Sequence, residues 1–150
     1  RISRYICLQA IYAYEVSEDS SIPSKHNSSF TKHFHEDLKD FFGELSKPQI
    51  LYSKRLCEAS IQNKDFIDTL IKDRLKNWDI SRLAIIDKII LRMSASEMFF
   101  IDDVPPKVSI AEGVEIAKVF STKDSSSFVN GILDAIYNDV YMKDKKINKN

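Results

Sequence analysis

Along most of the chain, apolar residues recur every three or four positions, the spacing that gathers them on one face of an α-helix. Ile6, Ala10 and Ala13 form one stripe, with Cys7, Ile11 and Tyr14 beside it, and predict a first helix over Ile2–Val16. Ser17–Ser29 carries Pro23 and many serines, has no core-forming content, and reads as a loop. Phe34, Leu38, Phe41 and Phe42 predict an amphipathic helix over Phe30–Phe42, stopped by Gly43. Pro48 suits a helix start before Gln49–Asn63, whose Leu56, Ser60 and Ile61 should face inward. Phe66, Ile67, Leu70 and Ile71 predict a short helix over Asp65–Leu75.

Ser81 is a plausible N-cap for a long helix reaching about Ile101. Leu83, Ile85, Ile86, Ile89, Ile90, Met93 and Met98 make it apolar almost all round, so other helices should surround it. Val104-Pro105-Pro106-Lys107 forces an extended turn. Ser109-Ile110-Ala111-Glu112 then fits a capping box, with the Ser109 hydroxyl accepting from the Glu112 N–H, and opens a helix to about Phe120. Asp124 or Ser125 caps a last helix to about Tyr141, in which Gly131 is expected to pack closely on a neighbour or, as the alternative, to give a partner access to the backbone. Phe128, Ile132, Ala135 and Ile136 share one helical stripe, which excludes a hairpin at Asn130-Gly131. The pattern is that of an all-α protein, with residues 1–142 as one domain and Lys143–Asn150 as a basic, flexible tail.

Composition agrees with one globular unit: 150 residues, 43% hydrophobic and 29% charged. Three glycines and four prolines are too few turn residues for an all-β domain of this length. The 22 basic and 22 acidic residues cancel, so any nucleic-acid site has to be a local patch rather than a bulk polycation. Cys7 and Cys57 lie among apolar residues without a CxxC or Cys/His pattern, which points to a reducing compartment, the cytoplasm. No signal peptide is read, and Asp87 and Lys88 break the most apolar stretch, so no membrane span is expected. The chain opens at Arg1 rather than a methionine, which leaves room for upstream residues.

Catalytic and metal chemistry find little support. His33-Phe34-His35-Glu36 looks like a ligand cluster, but residues two apart on a helix do not face each other, and His33 with Asp37 supplies only a pair. Neither cysteine has an orienting base nearby in sequence. Asp102-Asp103 and Glu112/Glu115 read as solvated charge, and no phosphate-cradling glycine motif occurs. No catalytic residue, metal or cofactor is expected.

Two surface patches remain. Arg1 and Arg4 share a face of the first helix, with Gln9, Tyr12 and Tyr5 close by. Cations, rings and an amide are what recognition of unpaired RNA uses. The second patch runs from Phe120 to Asn130. Lys123 offers charge, and Ser125, Ser126 and Ser127 open a helix at its positive dipole end. There Asp124 competes for the same N–H donors, and periodicity places Phe128 at least partly in the core.

The stretch Val104-Pro105-Pro106-Lys107-Val108-Ser109-Ile110-Ala111-Glu112-Gly113-Val114-Glu115-Ile116-Ala117-Lys118 carries a family resemblance. With Phe120, Asp124-Ser125 and Phe128-Val129-Asn130-Gly131-Ile132-Leu133-Asp134, it closely resembles the signature of the bacterial transcription antitermination factor NusB family. Arg4, Leu8-Gln9-Ala10-Ile11-Tyr12 and Ile90-Leu91-Arg92 with Glu97 are similar too, and the likeness is weakest from Ser17 to about Ile61. The resemblance implies a NusB-like helical bundle in two packed subdomains, in line with the seven helices predicted above. It implies a non-enzymatic adaptor that pairs with NusE, a small-subunit ribosomal protein. The pair would bind boxA, a short single-stranded RNA element, within an RNA polymerase antitermination complex on ribosomal RNA operons.

By the same resemblance, Arg1, Arg4, Tyr12, Phe120, Asp124, Phe128 and Asn130 fall on the RNA surface and Asp87 on the NusE side; the two patches add Gln9, Lys123 and Ser125 to the RNA surface, and Arg82 is placed with Asp87. Ile2 and Ser3 stand where the family's N-terminus is richer in arginine, so charge-driven affinity is expected to be lower. A homodimer through the RNA face is open. The alternatives are a purely protein–protein helical adaptor, or the NusB-like domain found in some ribosomal RNA cytosine methyltransferases. Those continue into a cofactor-binding domain, and no Rossmann-type fingerprint occurs here.

Overall fold

The structure, a computed structural model, describes residues 1–17, 44–76 and 79–144. The expected loop after Ser17, the Phe30–Phe42 helix with its His33/His35/Asp37 group, and the tail beyond Asp144 lie outside the described residues. Six α-helices are described: α1 (Ile2–Ser17), α2 (Lys47–Gln62), α3 (Lys64–Arg74), α4 (Ile85–Phe100), α5 (Pro106–Phe120) and α6 (Lys123–Ile136). No strand occurs among the described residues, so the fold is all-α as expected.

α4 packs against each of the other five helices. Every residue from Ile89 to Met98 is buried, as an all-round apolar helix requires. α1 pairs with α2 and α5 pairs with α6, while α3 packs against both α4 and α6. One hydrophobic cluster runs through all six helices, with Leu56, Ile67, Ile71, Ile116, Leu133 and Ile136 fully enclosed around α4.

Several helix starts differ from the sequence reading. α2 opens in a capping box: the Ser46 hydroxyl accepts from the Gln49 N–H at 3.3 Å, and the Gln49 side chain accepts from the Ser46 N–H at 2.9 Å. Ser81 does not cap α4. It lies in a short 3-10 turn, Ile80–Arg82, where its N–H donates to Asp79, and α4 starts at Ile85 without a side-chain cap. The Ser109–Glu112 capping box does not form, because the helix has already begun at Pro106, whose fixed φ suits the first helical position. Ser109 is then interior and buried, and Glu112 turns to Arg1. At α6, Thr122 is the cap, accepting from the Ser125 N–H at 3.1 Å, which leaves Asp124 in the first turn. A π-turn, Tyr137–Tyr141, carries the helix past its expected end at Tyr141 to Asp144.

The two helical glycines have different surroundings. Gly131 faces open space, with nothing within 4 Å of where a Cβ would stand, so no close packing explains it. Gly113 does the close packing instead: a Cβ there would overlap the Ser94 Oγ and come within 3.3 Å of Leu133. The α4–α5 crossing is therefore tight at Gly113, where an added methyl would have to displace the Ser94 hydroxyl and press on Leu133. Gly113→Ala is expected to lose about 1–3 kcal/mol of stability through overpacking. Gly131→Ala is expected to gain about 1 kcal/mol from helix propensity. Urea denaturation of the two variants checks both, and equal effects would contradict the assignment.

Candidate nucleic-acid interface

The first patch begins at the N-terminus of α1. Arg1 is exposed and reaches across to Glu112 on α5, with Nε 3.0 Å from one carboxylate oxygen and Nη2 3.3 Å from the other. Donation from this guanidinium holds the Glu112 carboxyl below its usual range. Arg4, one turn on, points into the protein. Its Nε lies 2.9 and 3.1 Å from the two oxygens of Glu97 on α4, a carboxylate that is almost fully buried. The Tyr52 hydroxyl of α2 donates to the same carboxylate, and the Arg4 guanidinium sits 5.8 Å from the Tyr52 ring centre. Burial, and then the Glu97 contact, push the Tyr52 phenol up from its ordinary value. Arg4 thus joins three helices, and its charge is already matched.

Tyr5 makes the link to the second patch. Its ring meets Phe120, the last residue of α5, edge-on at 5.3 Å and 77°. Phe120 keeps 42% of its surface exposed. Farther along α1, Tyr12 is 40% exposed and Gln9 is partly buried. The Tyr5–Phe120 contact brings the start of α1 and the end of α5 to one side of the bundle. No hydrogen bond, ion pair or ring contact among the described residues ties Gln9, Tyr12 or Asn130 to that junction.

Ser121 and Thr122 form the corner between α5 and α6. The Ser121 hydroxyl donates to one oxygen of Asp87 at 2.8 Å, and the Ser125 hydroxyl donates to the other at 2.9 Å. Asp87 is consequently buried at 7% exposure, which explains a charge within an apolar run. Arg82 is exposed on the 3-10 turn that precedes α4. Lys123 and Asp124 are exposed at the start of α6, and Lys123 has no ion pair among the described residues. Phe128 is half-buried against the core, and Asn130 is exposed.

Sequence reasoning missed the partners that consume these groups: Glu97 and Tyr52 for Arg4, Glu112 for Arg1, Ser121 for Asp87, and Thr122 as cap. Only Thr122 had a local signal, a capping residue just before the helix with a serine three positions on. Among the described residues, no group of three or more His, Cys, Asp or Glu could hold a metal, and no helix is long and apolar enough to cross a membrane.

The described residues thus make an all-α bundle on which the Tyr5 and Phe120 rings join the start of α1 to the end of α5. The chain belongs to the NusB family, whose model matches residues 1–138. Among its relatives is the transcription antitermination protein NusB of Chloroherpeton thalassium, 41% identical over 93% of this chain and 62% of that protein. The chain therefore spans less than two thirds of that relative's length. The protein of the same name from Syntrophus aciditrophicus is 36% identical over 95% of this chain and 82% of its own length. Of solved structures, T. maritima NusB superposes with a TM-score of 0.74 at 30% identity, covering 91% of this chain and 88% of that one. NusB solved with NusE and double-stranded RNA gives 0.74 at 21% identity, over 91% and 94% of the two chains, and supports the fold.

The different settings of the two arginines separate structural from surface roles. Arg4→Ala strands a buried carboxylate and is expected to lose about 3 kcal/mol of stability. Arg1→Ala, at an exposed pair, should leave the denaturation midpoint unchanged. Thermal and urea unfolding of the two variants would contradict this assignment if their losses were alike.

Proposed function

We propose that this chain is a transcription antitermination factor acting as a non-enzymatic RNA-binding adaptor in the cytoplasm. With NusE it binds a boxA-type single strand and supports processive transcription of ribosomal RNA operons by the RNA polymerase antitermination complex. Residues 1–142 act as the RNA-binding domain and 143–150 as a basic tail. The family membership supports the role, and the Tyr5–Phe120 contact is the observation that carries the site. It turns two segments far apart in sequence into one face on a protein of zero net charge.

Each side chain has a physical task on this reading. Tyr12 and Phe120 offer exposed rings for stacking on unpaired bases, with Phe128 behind the corner. Lys123 and Arg1 supply charge for phosphates, while Gln9, Ser125 and Asn130 supply hydrogen bonds to bases and sugars. Asp124 accepts from exposed amino groups. Arg4 serves the face through Glu97, by fixing the direction in which α1 leaves the core. Arg82, exposed on the turn before α4, marks the NusE side.

Affinity for a boxA single strand should rise when NusE is added, because two linked contacts act through effective concentration. Tyr12→Asp should weaken binding about tenfold or more, through lost stacking and added repulsion, with helicity intact. Lys123→Ala should reduce the magnitude of the salt slope of binding by about 0.7, the share of one phosphate contact on a single strand. Fluorescence anisotropy across a salt series reads all three. NusE binding without RNA affinity at any salt would make the chain a protein–protein adaptor and overturn the proposal.

A further inference from the structure

Asp87 is the third residue of α4, and its carboxylate is spent inside the protein. One oxygen accepts from the Ser121 hydroxyl at 2.8 Å, and the other accepts from the Ser125 hydroxyl at 2.9 Å. Ser121 is the C-cap residue just after α5 and Ser125 lies in the first turn of α6, so the two bonds straddle the corner that joins these helices. A second chain of bonds runs through the same corner. The Thr122 hydroxyl donates to the Ser125 hydroxyl oxygen at 3.0 Å and accepts from the Ser125 N–H at 3.1 Å. Bonds arranged in series polarise one another, and those that end on a carboxylate are the strong ones. The carboxylate also sits in the first turn of α4, where the helix dipole favours negative charge. Only 7% of Asp87 is exposed, so little of it is left for an external cation.

We infer that Asp87 is a positioning residue for the RNA-binding corner, acting from inside through Ser121 and Ser125, rather than a side chain that contacts a partner protein. This rests on the RNA-binding reading above. Phe120 precedes Ser121 directly, and Lys123 and Asp124 lie between the two anchored serines. Fixing both ends of this short run sets the directions of the Phe120 ring and the Lys123 ammonium together. The geometry also explains the side-chain type. Aspartate presents two acceptors on a short stem, and each acceptor has its own serine.

The test compares Asp87→Ala, Asp87→Asn and Ser121→Ala with the full chain. Asp87→Ala should weaken binding to a boxA single strand about tenfold, the worth of two charge-assisted hydrogen bonds partly offset by water. Asp87→Asn should retain most of the affinity, because the amide keeps the shape and the serine hydroxyls rotate to match its donor and acceptor. Affinity for NusE in the absence of RNA should be the same for all four proteins. Combining Asp87→Ala with Ser121→Ala should cost less than the sum of the single losses, since both cut one strut. Hydrogen exchange of the amides at 120–126 should speed up in Asp87→Ala and not in Asp87→Asn. This readout tests the strut even if the wild type binds no RNA, an outcome that would overturn the functional reading instead. If Asp87→Ala does not fold, Ser121→Ala by itself should show faster exchange and weaker RNA binding. Loss of NusE binding in Asp87→Asn with RNA affinity unchanged, or strictly additive losses, would overturn the inference.

Discussion

The architecture depends on buried guanidinium–carboxylate contacts along α4. Arg92, itself buried, binds Asp68 on α3 with two bonds of 2.6 and 2.8 Å and Glu15 on α1 at 2.9 Å. Five residues further along, Glu97 binds Arg4 of α1 and the hydroxyl of Tyr52 of α2. Burying such charges removes hydration that their mutual attraction only roughly restores, so the net stability gained is small. What they supply is direction. Apolar faces slide past one another at little cost, whereas a bidentate arginine tolerates one arrangement of its carboxylates. α1 is held to α4 at both of its ends by this means.

The surface face is a consequence of that anchoring. With Arg4 drawn inward, Tyr5 is presented toward the end of α5, where it meets Phe120, and Arg1 falls opposite Glu112. The corner beyond Phe120 is fixed separately by Asp87 and Thr122. The α5–α6 pair owes its position to a third feature, the absence of a side chain at Gly113 where α4 passes with Ser94. Polar anchors on α4 and one missing methyl thus set the relative placement of the three elements that compose the face.

Much of this was legible from residue spacing. The boundaries of α1 and α3 fall within about two residues of expectation, which is ordinary for helix ends. The enclosure of α4 followed from its apolar residues on every side. Helix starts were read less well, and for one reason. Several residues near each start could cap it, and which one does depends on where the chain enters the helix. Pro106 pre-empted Ser109, Thr122 preceded Asp124, and the Asp79–Ser81 turn left α4 to begin later. Gly131 carried the same local signal as Gly113, but only the packing of neighbours distinguishes a glycine at a crossing from one facing solvent.

Helical periodicity, balanced charge and the scarcity of turn residues determined the fold class, the central helix and the segments that carry surface chemistry, because these are properties of near neighbours along the chain. The fate of each charge was decided by tertiary structure. Arg1 and Arg4 look alike on a helical wheel. One lies over α5 in water, and the other is locked against Glu97, 93 positions away. Asp87 interrupts an apolar run for no local reason, and its reason is a pair of serines more than thirty positions later. An ionised group takes its role from the partner that desolvates with it, and that partner is set by how helices pack.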